Sequence, residues 1–189
     1  AVPPGICGTV THAQTHVPIP GALVQLHFPT NRLSVVFETT ADENGAFSFG
    51  TVNCGNTYQV SAGAPGYLPK IMWSPKPPTE IPLSPGRTIR VTGTVRDGEG
   101  TPVSHAVIRL GRRGDPDMDG VDTYKFTPFR GVTKEDGTFA IEYVPFGDTL
   151  VPHVHHADYP DTAFSDAAID TQRGDAHVDL VILPGLAVA

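Results

Sequence analysis

The sequence predicts an all-β fold of two β-sandwich modules in tandem. Three observations carry that prediction: an internal repeat, a turn-rich composition, and short runs of alternating apolar and polar residues cut by Asn-Gly or Asp-Gly pairs. The repeat fixes the organisation. Ile6-Cys7-Gly8-Thr9-Val10 is answered by Val91-Thr92-Gly93-Thr94-Val95, and Pro18-Ile19-Pro20-Gly21-Ala22-Leu23-Val24-Gln25-Leu26 by Pro102-Val103-Ser104-His105-Ala106-Val107-Ile108-Arg109-Leu110. Downstream, Glu43-Asn44-Gly45-Ala46-Phe47 pairs with Glu135-Asp136-Gly137-Thr138-Phe139, Gly55-Asn56-Thr57 with Gly147-Asp148-Thr149, Tyr67 with Tyr159, and Leu83-Ser84-Pro85-Gly86 with Ile182-Leu183-Pro184-Gly185. The modules are therefore expected at residues 1–86 and 87–189, with about four residues between Gly86 and the next strand. So short a connection predicts modules set end to end as a short rod.

Each element follows from its residues. The opening Gly-x-Val run reads as a strand, and the Pro-containing turn delivers the chain into Ala-x-Val-x-Leu, whose alternation marks a strand with one face buried. The Asn-Gly and Asp-Gly pairs accept the positive φ that a tight hairpin needs, and Phe47 and Phe139 then point into a core between two sheets. The 19 Pro and 20 Gly favour turns over helix, and no amphipathic helical stretch competes. Hydrophobic residues, at 39%, suffice for two packed cores.

These motifs, taken together, resemble the carboxypeptidase regulatory-like domain. They are the Gly-x-Val strand, the turn into Ala-x-Val-x-Leu, the acidic-Asn/Asp-Gly-x-Phe hairpin, the Gly-Tyr and the closing Leu-x-Pro-Gly. The resemblance spans about residues 6–86 and 90–185. It implies a seven-stranded Greek-key sandwich of the prealbumin (transthyretin-like) type in each half, and an accessory module of secreted or surface proteins. It implies no chemistry, since the fold hosts many functions.

Charge and composition exclude several classes. A formal charge of −7 with 13 Lys plus Arg repels nucleic acid and anionic bilayers, and no apolar run is long enough to span a membrane. The chain begins at Ala1 without an initiator Met, which fits removal of a leader or excision of the segment. The two cysteines, Cys7 and Cys54, lack zinc or haem spacing. They read as one disulfide in an oxidising compartment, against the alternative of two buried thiols in a cytosolic protein. The expected location is secreted or at the cell surface.

Three groups of residues could carry chemistry. Asp115, Asp117 and Asp119, followed by Gly120, Val121 and Asp122, form a DxDxDG loop inserted in the second module only. Alternate carboxylates, with a carbonyl at Val121, can wrap Ca²⁺, although an EF-hand's twelfth-position Glu is replaced by Phe126. The alternative is a solvated acidic loop balanced by Arg112, Arg113, Lys125 and Arg130.

The second group is Pro152-His153-Val154-His155-His156, where His153 and His155 share one face of a strand and could hold a transition metal. The stretch from Tyr124 to His155 also resembles, distantly, the iron-site region of intradiol ring-cleaving dioxygenases. That resemblance implies Tyr124, His153 and His155 as iron ligands. The same pattern puts a second Tyr where this chain has Leu150, and an Arg ahead of the His pair where this chain has none.

Trp73 is the third candidate. Trp73 and Met72 are adjacent in a strand and must face opposite ways, so an exposed Trp73 could stack on a sugar ring, whereas a lone Trp is commonly core. No Gly-x-Ser-x-Gly, His-Glu-x-x-His or phosphate-binding Gly loop occurs.

The sequence thus points to a non-catalytic structural or interaction module that engages a protein partner or its own copies. Its alternatives are a metal-dependent oxidoreductase of the intradiol type, or a relic of one, and a glycan-binding accessory module.

Overall fold

The computed structural model describes residues 5–29, 34–50, 58–112 and 128–184, and divides the chain into two compact units, residues 1–88 and 89–189. Every long element is a strand. The 3-10 turns at Ser165–Ala167 and Thr171–Arg173 are the helical pieces among the described residues, and no helix there is long and apolar enough to cross a membrane.

The first unit is a sandwich of seven strands: β1 (Cys7–His12), β2 (Leu23–Pro29), β3 (Ser34–Thr40), β4 (Ala46–Ser48), β5 (Gln59–Gly63), β6 (Lys70–Trp73) and β7 (Thr79–Leu83). One sheet runs β4-β1-β7 and the other β3-β2-β5-β6. Between them lies a core containing Val10, Val24, Leu26, Phe47, Val60, Ile81 and Leu83, with Met72 packed at its edge. Alternation along each strand supplies that core: Val24 and Leu26 face inward, while Gln25 and His27 face the other way.

The second unit repeats the plan with β8 (Thr88–Asp97), β9 (Val107–Arg112), β10 (Gly131–Val132), β11 (Thr138–Pro145), β12 (Thr149–His156), β13 (Tyr159–Ala163), β14 (Ile169–Asp170) and β15 (Ala176–Ile182). Its sheets run β11-β8-β15 and β10-β9-β12-β13. The two-residue β14 pairs with β12 and has no counterpart among the described residues of the first unit. Among the described residues it brings the second unit to eight strands, one beyond the seven of the sandwich plan.

The two units close in the same way, bond for bond. The last strand of each lies parallel to the first, β7 on β1 and β15 on β8, in unbroken register. Gly45 (φ 70°) and Gly137 (φ 78°) take the left-handed conformation at the hairpin tip, and each carbonyl accepts from the first strand, Val10 N–H and Val95 N–H, at 2.8 Å. Ile19 N–H to Val10 O at 2.9 Å and Val103 N–H to Val95 O at 3.0 Å pin the connection into β2 and β9. The residue after each glycine turn brings Phe47 and Phe139 into the core, each 4% exposed.

Candidate functional site

A cluster of titratable side chains lies on the outer face of the β10-β9-β12-β13 sheet. Strand pairing builds this face. Ile108, Leu110 and Val154 alternate into the core, all nearly inaccessible, so Arg109, His153 and His155 must project from the opposite side. Arg109 lies directly across from His153. Because Gly131 pairs with Ile108, the preceding Arg130 falls level with Arg109. A row Arg130–Arg109–His153–Ala163 therefore crosses four neighbouring strand positions, with Val107 and His155 in the row beside it. Val107 and Val151, on the same outer face, are 5% and 1% exposed, so little of the apolar surface there is open to solvent.

Burial shapes the electrostatics. Desolvation pulls the Arg130 guanidinium down to about 10, and the positive charge of Arg109 adds to the effect. Arg109 is lowered for the same first reason, with Asp161 partly opposing. His153 is held below the usual imidazole range, mainly by burial and then by Arg109, again against Asp161. The Nδ1 of His155 meets the Asp161 carboxylate, and its Nε2 is buried without a hydrogen-bond partner among the described residues. His156 is committed elsewhere. Its Nδ1 accepts from Asp158 N–H at 3.1 Å, so its Nε2–H is the donor to Ser104 O at 3.1 Å.

The structure brings together His153 and His155, the two histidines the sequence places on one face. Leu150 is 1% exposed and, three residues before His153, alternates to the core side. Tyr124 lies outside the described residues, as do Asp115, Asp117, Asp119, Val121 and Asp122 of the acidic loop. No group of three His, Cys, Asp or Glu that could hold a metal occurs among the described residues. Of the expected iron ligands, the two imidazoles are the ones among the described residues, and they share their face with the Arg109 and Arg130 guanidiniums.

Sequence reasoning missed Arg109 and Asp161 as neighbours of the histidines, and took Arg130 only as a counter-charge for the acidic loop. The available signal was the alternating polar position of Ala-x-Val-x-Leu, where Gln25 in one repeat is answered by Arg109 in the other.

Two sites lie in the first unit. Trp73 is 41% exposed on β6, across from Gln59, while Met72 turns to the core. The lone tryptophan is thus half-open to solvent and outside the core. Cys7 lies half-buried in β1 and is in no disulfide among the described residues, while Cys54, its expected partner, lies outside them.

No curated protein matches the chain in sequence. Among solved structures it is similar to the minor pilin of Streptococcus agalactiae, at 15% identity and a TM-score of 0.36, covering 97% of this chain and 98% of that one. A shaft pilin from Lactobacillus rhamnosus GG gives 12% identity and a TM-score of 0.39, covering 98% and 99%. Catechol 1,2-dioxygenase from Pseudomonas arvilla C-1 gives 12% and 0.38, over 55% of this chain and 54% of that one. In sequence, residues 5–89 match the carboxypeptidase regulatory-like domain, the family that the motifs of the chain resemble.

Proposed function

We propose that this chain is a non-catalytic structural and interaction protein that works outside the cell, its two sandwich units presenting outer sheet faces to a protein partner or to further copies of itself. One observation carries the reading: what the two units share is scaffold, and what differs is the outer face. The hairpin glycines, the inward phenylalanines and the parallel closing strands recur bond for bond. The row Arg130–Arg109–His153 has Glu38, Gln25 and Ser61 as its counterparts, so no reacting group repeats with the fold. Within this reading the loop from Asp115 to Asp122 takes Ca²⁺, and Cys7 pairs with Cys54. Trp73, half-exposed on an edge strand, suits contact with a partner better than a place in the core.

The second reading is the intradiol-type oxidoreductase, favoured by the shared face of His153 and His155. The two readings separate in one preparation. Purified protein supplied with ferric iron should stay colourless and leave catechol uncleaved, and sedimentation velocity should show association rising with concentration. A visible tyrosinate-iron band with ring cleavage that His153→Ala abolishes would replace the first reading by the second. A strict monomer at all concentrations would remove the self-association half.

A further inference from the structure

We propose that the open edge of β15 pairs antiparallel with β15 of a second copy, joining two second units into a two-fold dimer; this rests on the self-association read above and assigns it a surface. A sheet edge presents unpaired N–H and C=O groups, and folds blunt it with proline, bends or very short strands. Most edges here are blunted. β4 has three residues, and β10 and β14 have two each. β7 carries Pro82, β13 carries Pro160, and β6 is four residues long between Pro69 and Pro75. β11 bends at Tyr143, whose φ is 54°, and ends at Pro145. Among the described edge strands that leaves β3 and β15, each of seven residues without proline.

The repeat sharpens the contrast. β7 and β15 close their units in the same way, and Pro82, opposite Thr11, holds the place of Val181, opposite Arg96. Leu83 O accepts from Ala13 N–H at 2.9 Å, so Leu83 faces the opening strand and Pro82 faces out. In β15 a Cβ on Gly93 would meet Val178 O at 2.0 Å, so Val178 faces β8, while the N–H and C=O groups of His177, Asp179 and Val181 face the open side. Charge then selects the partner and the register. β3 carries Glu38 and no basic residue, so a second β3 brings only like charge to it. β15 alternates His177 and Asp179 on its exposed outer face. A two-fold axis at Asp179 would set carboxylate against carboxylate. An axis at Val178 instead sets each His177 opposite the other copy's Asp179, and each such pair exchanges two backbone hydrogen bonds. No existing contact is given up. Thr94 Oγ1 donates to Asp179 Oδ1 at 2.6 Å, and His177 Nε2 lies 3.3 Å from the same oxygen, which holds both side chains on the outer face. A contact of this size is weak and reversible.

The test follows amide exchange by NMR in the intact chain from micromolar to millimolar concentration, beside sedimentation velocity. The N–H groups of Val178 and Leu180, which face β8, should be protected throughout. Those of His177 and Asp179 should gain protection as concentration rises, in step with the dimer. His177→Glu places like charges opposite each other twice and should weaken the dimer by about tenfold, and adding Asp179→Lys restores opposite charge and should recover most of that loss. Val181→Pro, which gives β15 the residue that β7 already carries, removes an outward N–H beside the contact and should also weaken the dimer. Protection at Val178 and Leu180 in each variant shows that β15 still closes its unit. Association that leaves the His177 and Asp179 amides exchanging freely, or that protects β3 in their place, overturns the assignment to β15 and leaves self-association standing. Protection of both amides already complete at the lowest concentration gives the edge to another segment of the same chain and likewise overturns the dimer. A monomer at millimolar concentration removes the proposal and the self-association reading together.

Discussion

At the scale of single residues, two glycines carry the clearest constraint. A Cβ on Gly8 would sit 2.0 Å from Thr79 O, and one on Gly93 would sit 2.0 Å from Val178 O and 2.7 Å from the Phe139 ring. Both contacts are with the parallel closing strand, so the Gly of Gly-x-Val lets that strand approach. Gly8→Ala and Gly93→Ala should each destabilise the unit that contains it by about 2–3 kcal/mol, through strand displacement that backbone cannot avoid. Denaturant melts with a reporter in each unit check this, and a neutral Gly93→Ala would show that the strands can part freely. His153 gives a second prediction. Its folded pKa lies below the ordinary value of about 6.5, because burial and Arg109 disfavour the charged ring. The unfolded chain therefore takes the proton first. The stability that a neutral His153 contributes is complete above about pH 6.5 and is lost as pH falls from there through the lowered folded value. Urea unfolding of the second unit should weaken across that window, and His153→Gln should flatten the dependence. An unchanged slope in the variant would assign the pH response to other groups.

At the scale of elements, legibility followed periodicity. The opening strands, the Asn-Gly and Asp-Gly hairpins and the inward Phe47 and Phe139 could be read because local chemistry fixes them: a left-handed tip needs glycine, and alternation decides which side chain is inside. Met72 and Trp73 could be read only as an opposed pair, since period two says that one faces in and the other out but not which. Packing decided it. The row Arg130–Arg109–His153 was illegible for a different reason, because cross-strand neighbours are set by register between strands more than forty residues apart in sequence, at Arg109 and His153. His153 and His155, two apart on one strand, were legible by the same logic. The short β14, two residues held against β12, carries no periodic signal at all. The closing strands β7 and β15 were legible as Leu-x-Pro-Gly endings, but their parallel pairing to the first strand is a property of the whole sandwich and of no local motif.

At the scale of the whole molecule, the two units have separate cores and, in the proposed function, separate clamps of different chemistry. A Cys7–Cys54 disulfide would cross-link the first unit alone, and Ca²⁺ at Asp115–Asp122 would act on the second alone. The repeat supports this division, since Thr92 and Phe146 stand at the cysteine-equivalent positions and the acidic loop has no counterpart in the first unit. Linkage makes the division measurable. By chain entropy a bridge over that separation stabilises the first unit by about 4 kcal/mol, less any native strain. Calcium at about a hundred times its dissociation constant stabilises the second by about 2.7 kcal/mol. Hydrogen exchange followed peptide by peptide should therefore respond to the two reagents independently. A reductant should lower protection in β1, β2 and β5 and leave β9 and β12 unchanged, while a chelator should do the reverse. Magnesium should substitute poorly, because a flexible set of carboxylates and carbonyls suits the larger, less strictly octahedral ion. Asp117→Ala and Asp119→Ala should each abolish the calcium response and leave the sandwich folded. Two free thiols by mass spectrometry in protein prepared without reductant would remove the first clamp, and with it the strongest argument for an oxidising compartment. Protection in β9 and β12 that is indifferent to millimolar calcium and to chelator would reduce the acidic loop to a solvated insertion.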